Sequence, residues 1–365
     1  MKEPIRILQI IACLDRNDGI MQMIHNWHQN IDKQKFQFDY LYFEATSLSF
    51  KEDIELLGGK YYKLPYPSFF KPWIFIKAVK EFFKTHKYNI IHSHVIHLSF
   101  FFYPIAKFYG VKNILHHSHA TKWSDKFLNG LRNKFLFFCV KPFITKKLAC
   151  SDLAGKFLFK KNYTVIDNGV DTEKFKFNKD IRDKIRKELN IENKFVIGHV
   201  GRFFHEKNHD FIVDIFNEIC KQYDNSILLF VGDGPLRQKM EQKCSKLNLS
   251  NKVIFTGNKV NVYDYYQAMD IFVLPSFQEA FPVVGIEAQT NGLPCLFSDC
   301  MTSDILICNS KQLSLSLSAK QWADEVLKYK NSGRTDKSEI VVKEKGFDVK
   351  QNVINIQKIY EGLES

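Results

Sequence analysis

Glu279 and Glu287 stand in the stretch Pro275-Ser276-Phe277-Gln278-Glu279-Ala280-Phe281-Pro282-Val283-Val284-Gly285-Ile286-Glu287-Ala288-Gln289, with seven residues between them. The apolar run from Ile271 to Leu274 reads as a strand that ends in a polar turn. A helix then starts near Pro282, where the missing N–H costs nothing because the first helical donors are unpaired anyway. Asn291-Gly292 supplies its stop. Glu279 thus falls at the mouth of the turn and Glu287 about a turn and a half into the helix. A carboxylate accepts paired hydroxyl hydrogen bonds, and a helix N-terminus favours phosphate, so the chemistry is that of holding a sugar and a phosphate. Without its Pro, Gly and aromatic frame, such a pair on a basic chain reads as a solvated face.

A second constellation is Val200-Gly201-Arg202-Phe203 followed by Lys207-Asn208-His209, after one strand and before a helix. Gly201 permits a tight turn, and Arg202 and Lys207 bring two cations to a helix start that already attracts anions. The arrangement suits a diphosphate whose charge grows as its sugar leaves; the plainer reading is an exposed basic loop. Val231-Gly232-Asp233-Gly234-Pro235 also follows a strand, but Arg237 stands where a dinucleotide fingerprint needs its third glycine. Histidines gather at His92, His94 and His97 and again at His116, His117 and His119, open to readings as metal ligands, sugar contacts or satisfied strand-end residues.

The glutamate stretch, with the Gly201–His209 segment, resembles the donor signature of retaining glycosyltransferases of family 4, and the resemblance extends over nearly the whole chain. It implies the GT-B fold: α/β, with two Rossmann-like domains facing across a cleft. Glu279 would contact the sugar hydroxyls and anomeric region, and Glu287 the nucleotide ribose. Arg202 and Lys207 would neutralise the leaving diphosphate, so that neither a metal nor another cofactor is expected; no Asp-x-Asp motif is present to hold one. The substrate-binding set would include Gly201, Gly232, Phe281, Pro282 and Val283. A family histidine near the donor sugar matches His117 by strand ends, with His119 the alternative, and His94 matches another lining position. Gly19 belongs to a loop that is commonly Gly-Gly and approaches the donor phosphate. Asp18 replaces the first of these glycines, and capping the following helix is an equal reading. Ala280-Phe281 replaces the commoner Gly-Leu, and Asp304 stands where Glu is usual.

Elements to position these residues are legible. Apolar runs begin near Ile5, Phe38, Tyr61, Ile90, Asn113, Leu148 and Thr164, alternating with helical patterns over Ile20–Ile31, Ile74–Thr85, Leu98–Tyr109 and Lys126–Val140. The alternation resumes with strands at Phe195, Ser226, Val253, Ile271 and Pro294, which predicts two parallel sheets covered on both faces. An interdomain linker is expected over the turn-rich Asp167–Asp171 and the charged helix Asp180–Leu189. The expected domains are 1–172 on the acceptor side, 173–346 for the nucleotide sugar, and a helix over 347–365 that packs back on the first.

The 365 residues, 45% hydrophobic and 25% charged, are enough for two such domains. No apolar window reaches the length of a membrane span, and the N-terminus is too short and polar for a secretion signal, so a cytoplasmic protein is expected. Eight cysteines without a C-x-x-C pair argue against disulfides and zinc. The net charge of +12 fits an anionic substrate or membrane surface, and no nucleic-acid motif accompanies it. Phe100–Tyr103 and Lys122–Lys147 are the aromatic and basic candidates for contact with the inner face of the cell membrane, or else ordinary core.

The resemblance implies transfer of a hexose or N-acetylhexosamine from a nucleotide diphosphate sugar to a glycan or lipid-linked acceptor, in capsular polysaccharide, exopolysaccharide or lipopolysaccharide assembly. Two other readings share the fold: a sugar-nucleotide epimerase or phosphorylase, and a non-catalytic partner subunit.

Overall fold

Strands that are apolar on both faces must be covered on both sides, and this requirement organises each half of the chain. The computed structural model describes residues 3–16, 18–67, 71–124, 126–279 and 281–364. They divide into two compact units, Met1–Asn168 with Val349–Ser365, and Gly169–Asp348.

The first unit carries β1 (Ile5–Ile10), β2 (Phe36–Tyr42), β3 (Tyr61–Lys63), β4 (Ile90–Ser93), β5 (Asn113–Ser118), β6 (Lys146–Ala149) and β7 (Thr164–Val165). They form a parallel sheet in the order β3-β2-β1-β4-β5-β6-β7. Alternate residues of β1 feed two cores. Ile7 joins Phe38, Tyr40 and Trp27 on one side, with Val349, Val353, Ile356 and Tyr360 from the helix Val349–Glu364. Leu8 and Ile10 join Phe75, Val79, Phe83, Phe102, Tyr103 and Phe137 on the other. The C-terminal helix is therefore part of the first unit's cover, held also by Asn113 Nδ2 donating to the Leu363 carbonyl at 3.1 Å.

The second unit carries β8 (Phe195–Val200), β9 (Ser226–Val231), β10 (Val253–Phe255), β11 (Ile271–Leu274), β12 (Cys295–Ser298) and β13 (Ser310–Leu313). They too are parallel, in the order β10-β9-β8-β11-β12-β13. The expected elements are present with ends shifted by a residue or two. The segment Lys179–Glu188, expected within a linker, instead packs in this unit: Arg182 donates to the Gln267 and Met269 carbonyls, and Arg186 and Arg182 both pair with Asp270. Its charge disguised a docked helix. Of the Phe100–Tyr103 stretch, open to reading as membrane contact or as ordinary core, Phe102 and Tyr103 are core residues, because their helix Ser99–Phe108 turns that side to the sheet. None of the eight cysteines is in a disulfide.

Gly198 lies mid-strand in β8 because the fully buried Met269 occupies the space of its side chain; an added Cβ would meet Met269 Sδ at 2.0 Å and Cγ at 2.4 Å. Urea unfolding of Gly198→Ala should give a stability about 1–3 kcal/mol below that of the parent. Gly333→Ala, whose Cβ meets nothing within 4 Å, should stay within about 0.5 kcal/mol. Equal stabilities of the two variants would contradict the packing described.

Candidate active site

β8 and β11 are paired neighbours in the second unit, so the chain leaves their carboxyl ends side by side, the usual position for a ligand on a parallel sheet. Hydrogen bonds tie the two exits together. The Phe277 amide donates to the Glu206 carbonyl at 2.8 Å, and Asn208 Nδ2 donates to the Pro275 carbonyl at 3.1 Å. Asn208 adopts a left-handed conformation (φ 56°), which its short polar side chain tolerates, and from it the helix His209–Gln222 begins. Lys207 Nζ then reaches Glu279 Oε1 at 2.5 Å, with both side chains largely enclosed. Arg202 is exposed, its guanidinium 4.5 Å from the centre of the Phe204 ring.

Glu287 sits within the helix Val283–Thr290, which follows β11. It is 8% exposed and accepts a hydrogen bond from the Tyr266 hydroxyl at 2.7 Å. Burial raises its carboxyl to about 7, opposed by the Tyr266 bond and by the charges of Lys174 and Lys207. Tyr266 escaped the sequence reading. It lies in the helix Val262–Ala268 that precedes β11, and only the return of that helix onto the sheet brings it to Glu287.

Gly201 and Gly232 meet each other. A Cβ on Gly232 (φ +135°) would lie 2.2 Å from the Gly201 carbonyl oxygen, so this glycine allows the 232–234 turn to lean on the Gly201 loop. The Phe203 amide donates to the Asp233 carbonyl at 3.0 Å and completes the support. Phe281 is buried and stacks on Phe347 with ring centres 5.4 Å apart, followed by a buried Pro282 and a half-buried Val283 at the helix start. The Ala280 departure lies outside the described residues. Asp304 is exposed and bonded by the Thr302 hydroxyl.

In the first unit the histidines separate by face. His116 turns to Tyr103, Phe137 and Phe159, whereas His92, His94, His117 and His119 stack on the opposite side. His117 has no exposed surface and lies between the rings of Trp27, His92 and His119. His119, just past the end of β5, is half-buried. Burial holds His92, His94 and His117 far below the ordinary imidazole range and lowers His119 to about 3, so all four are neutral. His92, His94 and His117 bring ring nitrogens within 4.8 Å of one another. His94 spends both of its nitrogens on Gln9 Oε1 and His119 Nε2, so the three form no ready chelate. Asp18 caps the helix Gly19–Asn30 by accepting from the Met21 amide at 2.9 Å, and the exposed Gly19 has open space where a Cβ would be.

Comparison with known proteins agrees with this organisation. Residues 17–174 match the family described as Glycosyltransferase Family 4, and residues 181–344 match Glycosyl transferases group 1. The chain is 30% identical to the putative glycosyltransferase EpsF of Bacillus subtilis, over 97% of this chain and 96% of that one. It is 25% identical to the capsular polysaccharide biosynthesis glycosyltransferase CapH of Staphylococcus aureus, over 89% and 90% of the two chains. In fold it resembles Anabaena HepE, crystallised with UDP and glucose, at a TM-score of 0.81 and 19% identity over 99% and 100% of the chains. With both halves matched and a relative aligned from end to end, the chain belongs to the glycosyltransferases of family 4, built on the GT-B fold.

Proposed function

We propose that this glycosyltransferase moves a hexose or N-acetylhexosamine from a nucleoside diphosphate sugar to a glycan or lipid-linked acceptor in surface polysaccharide assembly, with retention of anomeric configuration and without a metal or other cofactor. The observation that carries the proposal is the meeting of Lys207 and Glu279 from two adjoining strand ends, with buried Glu287 within reach of the Lys207 charge. CapH, a capsular polysaccharide biosynthesis glycosyltransferase, supports the setting, and the HepE complex with UDP and glucose supports the donor class.

In this reading Glu287 accepts the ribose hydroxyls, and Glu279 binds sugar hydroxyls while holding Lys207 in place. Arg202 and Lys207 take the diphosphate, whose charge increases as the bond from the anomeric carbon to phosphate oxygen breaks. The acceptor hydroxyl attacks the same carbon from the same face, and its proton passes to the departing phosphate. Gly201, Gly232, Phe281, Pro282 and Val283 shape the nucleotide side, Gly232 and Phe281 through their packing. His119, the histidine that keeps exposed surface at the end of β5, serves the transferred sugar; His117 supports it from beneath, and His94 holds it by a hydrogen bond. Gly19 leaves space for an approaching substrate, and Asp18 is assigned to the helix cap.

The same reading places the protein in the cytoplasm, at the inner face of the cell membrane. No helix among the described residues is long and apolar enough to cross a membrane. The helix Phe127–Val140, however, exposes more than half of each of Phe127, Leu128, Leu131, Phe135 and Phe138, beside exposed Lys126, Arg132 and Lys134. Apolar wedges among cations suit an anionic bilayer.

Two measurements test these assignments. Given UDP, GDP and ADP sugars, the purified protein should release nucleoside diphosphate from one of them, and Arg202→Ala and Glu287→Ala should lower that release by about a hundredfold. Release that both variants retain would remove these residues from the site. In co-sedimentation, vesicles containing phosphatidylglycerol should capture the protein and vesicles of phosphatidylcholine should not. Leu128→Ser with Phe135→Ser should abolish the capture, and equal recovery from both vesicle types would contradict the membrane assignment.

A further inference from the structure

A row of buried polar side chains in the first unit begins at the C-terminal helix and ends at His119. The Tyr360 hydroxyl lies 2.8 Å from His92 Nδ1 and accepts from Gln9 Nε2 at 3.4 Å. Gln9 Oε1 meets His94 Nε2 at 3.0 Å, and His94 Nδ1 meets His119 Nε2 at 2.9 Å. Gln9 sits mid-strand in β1 with no exposed surface, and among the described residues its side-chain amide bonds only Tyr360 and His94.

We infer that Gln9 is a positioning residue that sets the tautomer of His119, leaving Nδ1 of His119 as a hydrogen-bond acceptor for a sugar hydroxyl. An amide oxygen accepts and never donates, so His94 must carry its hydrogen on Nε2. A neutral imidazole has one N–H, which makes His94 Nδ1 an acceptor and His119 Nε2 the donor to it. His119 then has its lone pair at Nδ1, an atom to which no described residue bonds and which is not among the enclosed, unpartnered polar atoms. Removal of these rings from water keeps each of them neutral, so the order propagates without a proton to spare. A lone pair there welcomes the O–H of a hexose and repels a carboxylate, which has no hydrogen to give. The site is thereby tuned toward neutral hexosyl donors and against uronic acid donors at this position on the sugar.

The inference rests on the reading of His119 as the sugar-facing histidine, so its first test is made without substrate. Long-range proton–nitrogen NMR of histidine-labelled protein, with His119→Asn to assign the signal, should show His119 protonated at Nε2. Gln9→Leu removes the acceptor that orders His94 and should give His119 a mixture of tautomers. Gln9→Glu, which keeps an acceptor oxygen, should restore the single form. A wild-type His119 protonated at Nδ1, or one indifferent to Gln9→Leu, overturns the inference; the wild-type spectrum decides even if the leucine variant does not fold. With the hexosyl donor selected by the release assay, Gln9→Leu should lower kcat/KM by about tenfold, the loss of one hydrogen bond. The expected tautomers with unchanged kcat/KM would overturn instead the assignment of His119 to the sugar.

Discussion

The ion pair between Lys207 and Glu279 is the contact on which the catalytic reading depends. It joins the exit of β8 to the exit of β11, and its largely enclosed position makes it a poor source of stability, since the cost of drying two charges offsets much of their attraction. Its value lies in pre-organisation. A free lysine at this turn would sample many rotamers, whereas Glu279 holds the ammonium beside the place where an anion is expected. The backbone is built to the same end: Phe277 bonds Glu206, Asn208 bonds Pro275, and Gly232 leans on Gly201. In the proposed reading an arriving diphosphate competes with Glu279 for a cation already in place, and the released carboxylate oxygen is free to take a sugar hydroxyl.

Much of this was legible in the sequence because parallel strands, buried on both faces, print themselves as apolar runs. The strand ends located the turns that carry Arg202, Lys207 and Glu279 and the helix that carries Glu287. The unread parts share a physical cause, which is that tertiary partners leave no local pattern. Tyr266 is an aromatic residue in a short helix until that helix folds onto the sheet beside Glu287. Gln9 is a polar residue in an apolar strand, and its partner Tyr360 lies at the other end of the chain. The helix Lys179–Glu188 fell within the expected linker because a charged helix carries no local sign of its partners, and Arg182 and Arg186 dock on Asp270 and nearby carbonyls. Among the histidines, spacing alone could not separate His117 from His119; the proposed reading takes His119 because it alone of the two keeps exposed surface.

Glu287 shows what such a site costs. With its carboxyl raised to about 7, the folded protein holds a proton that the unfolded chain, with an ordinary carboxyl near 4.5, has already lost. Stability contributed by this group is therefore full below about pH 4.5 and falls as the pH rises toward 7, where the folded group ionises. A glutamine would avoid that loss, and an ionised carboxylate is worth keeping here only for a ligand that donates to it, as a ribose diol does. In the proposed reading, function and stability pull in opposite directions at this one residue.

That opposition supplies the most direct test of the account. Calorimetric titration of the donor selected by the release assay, from about pH 6 to about pH 8, should show affinity rising with pH as Glu287 ionises, with release of a proton on binding that fades at the upper end. Glu287→Gln should bind more weakly at the upper end, and its affinity should not rise with pH through this interval. An affinity of the parent protein that is flat across this range, or a rise that persists in Glu287→Gln, would contradict the placement of the nucleotide ribose on Glu287.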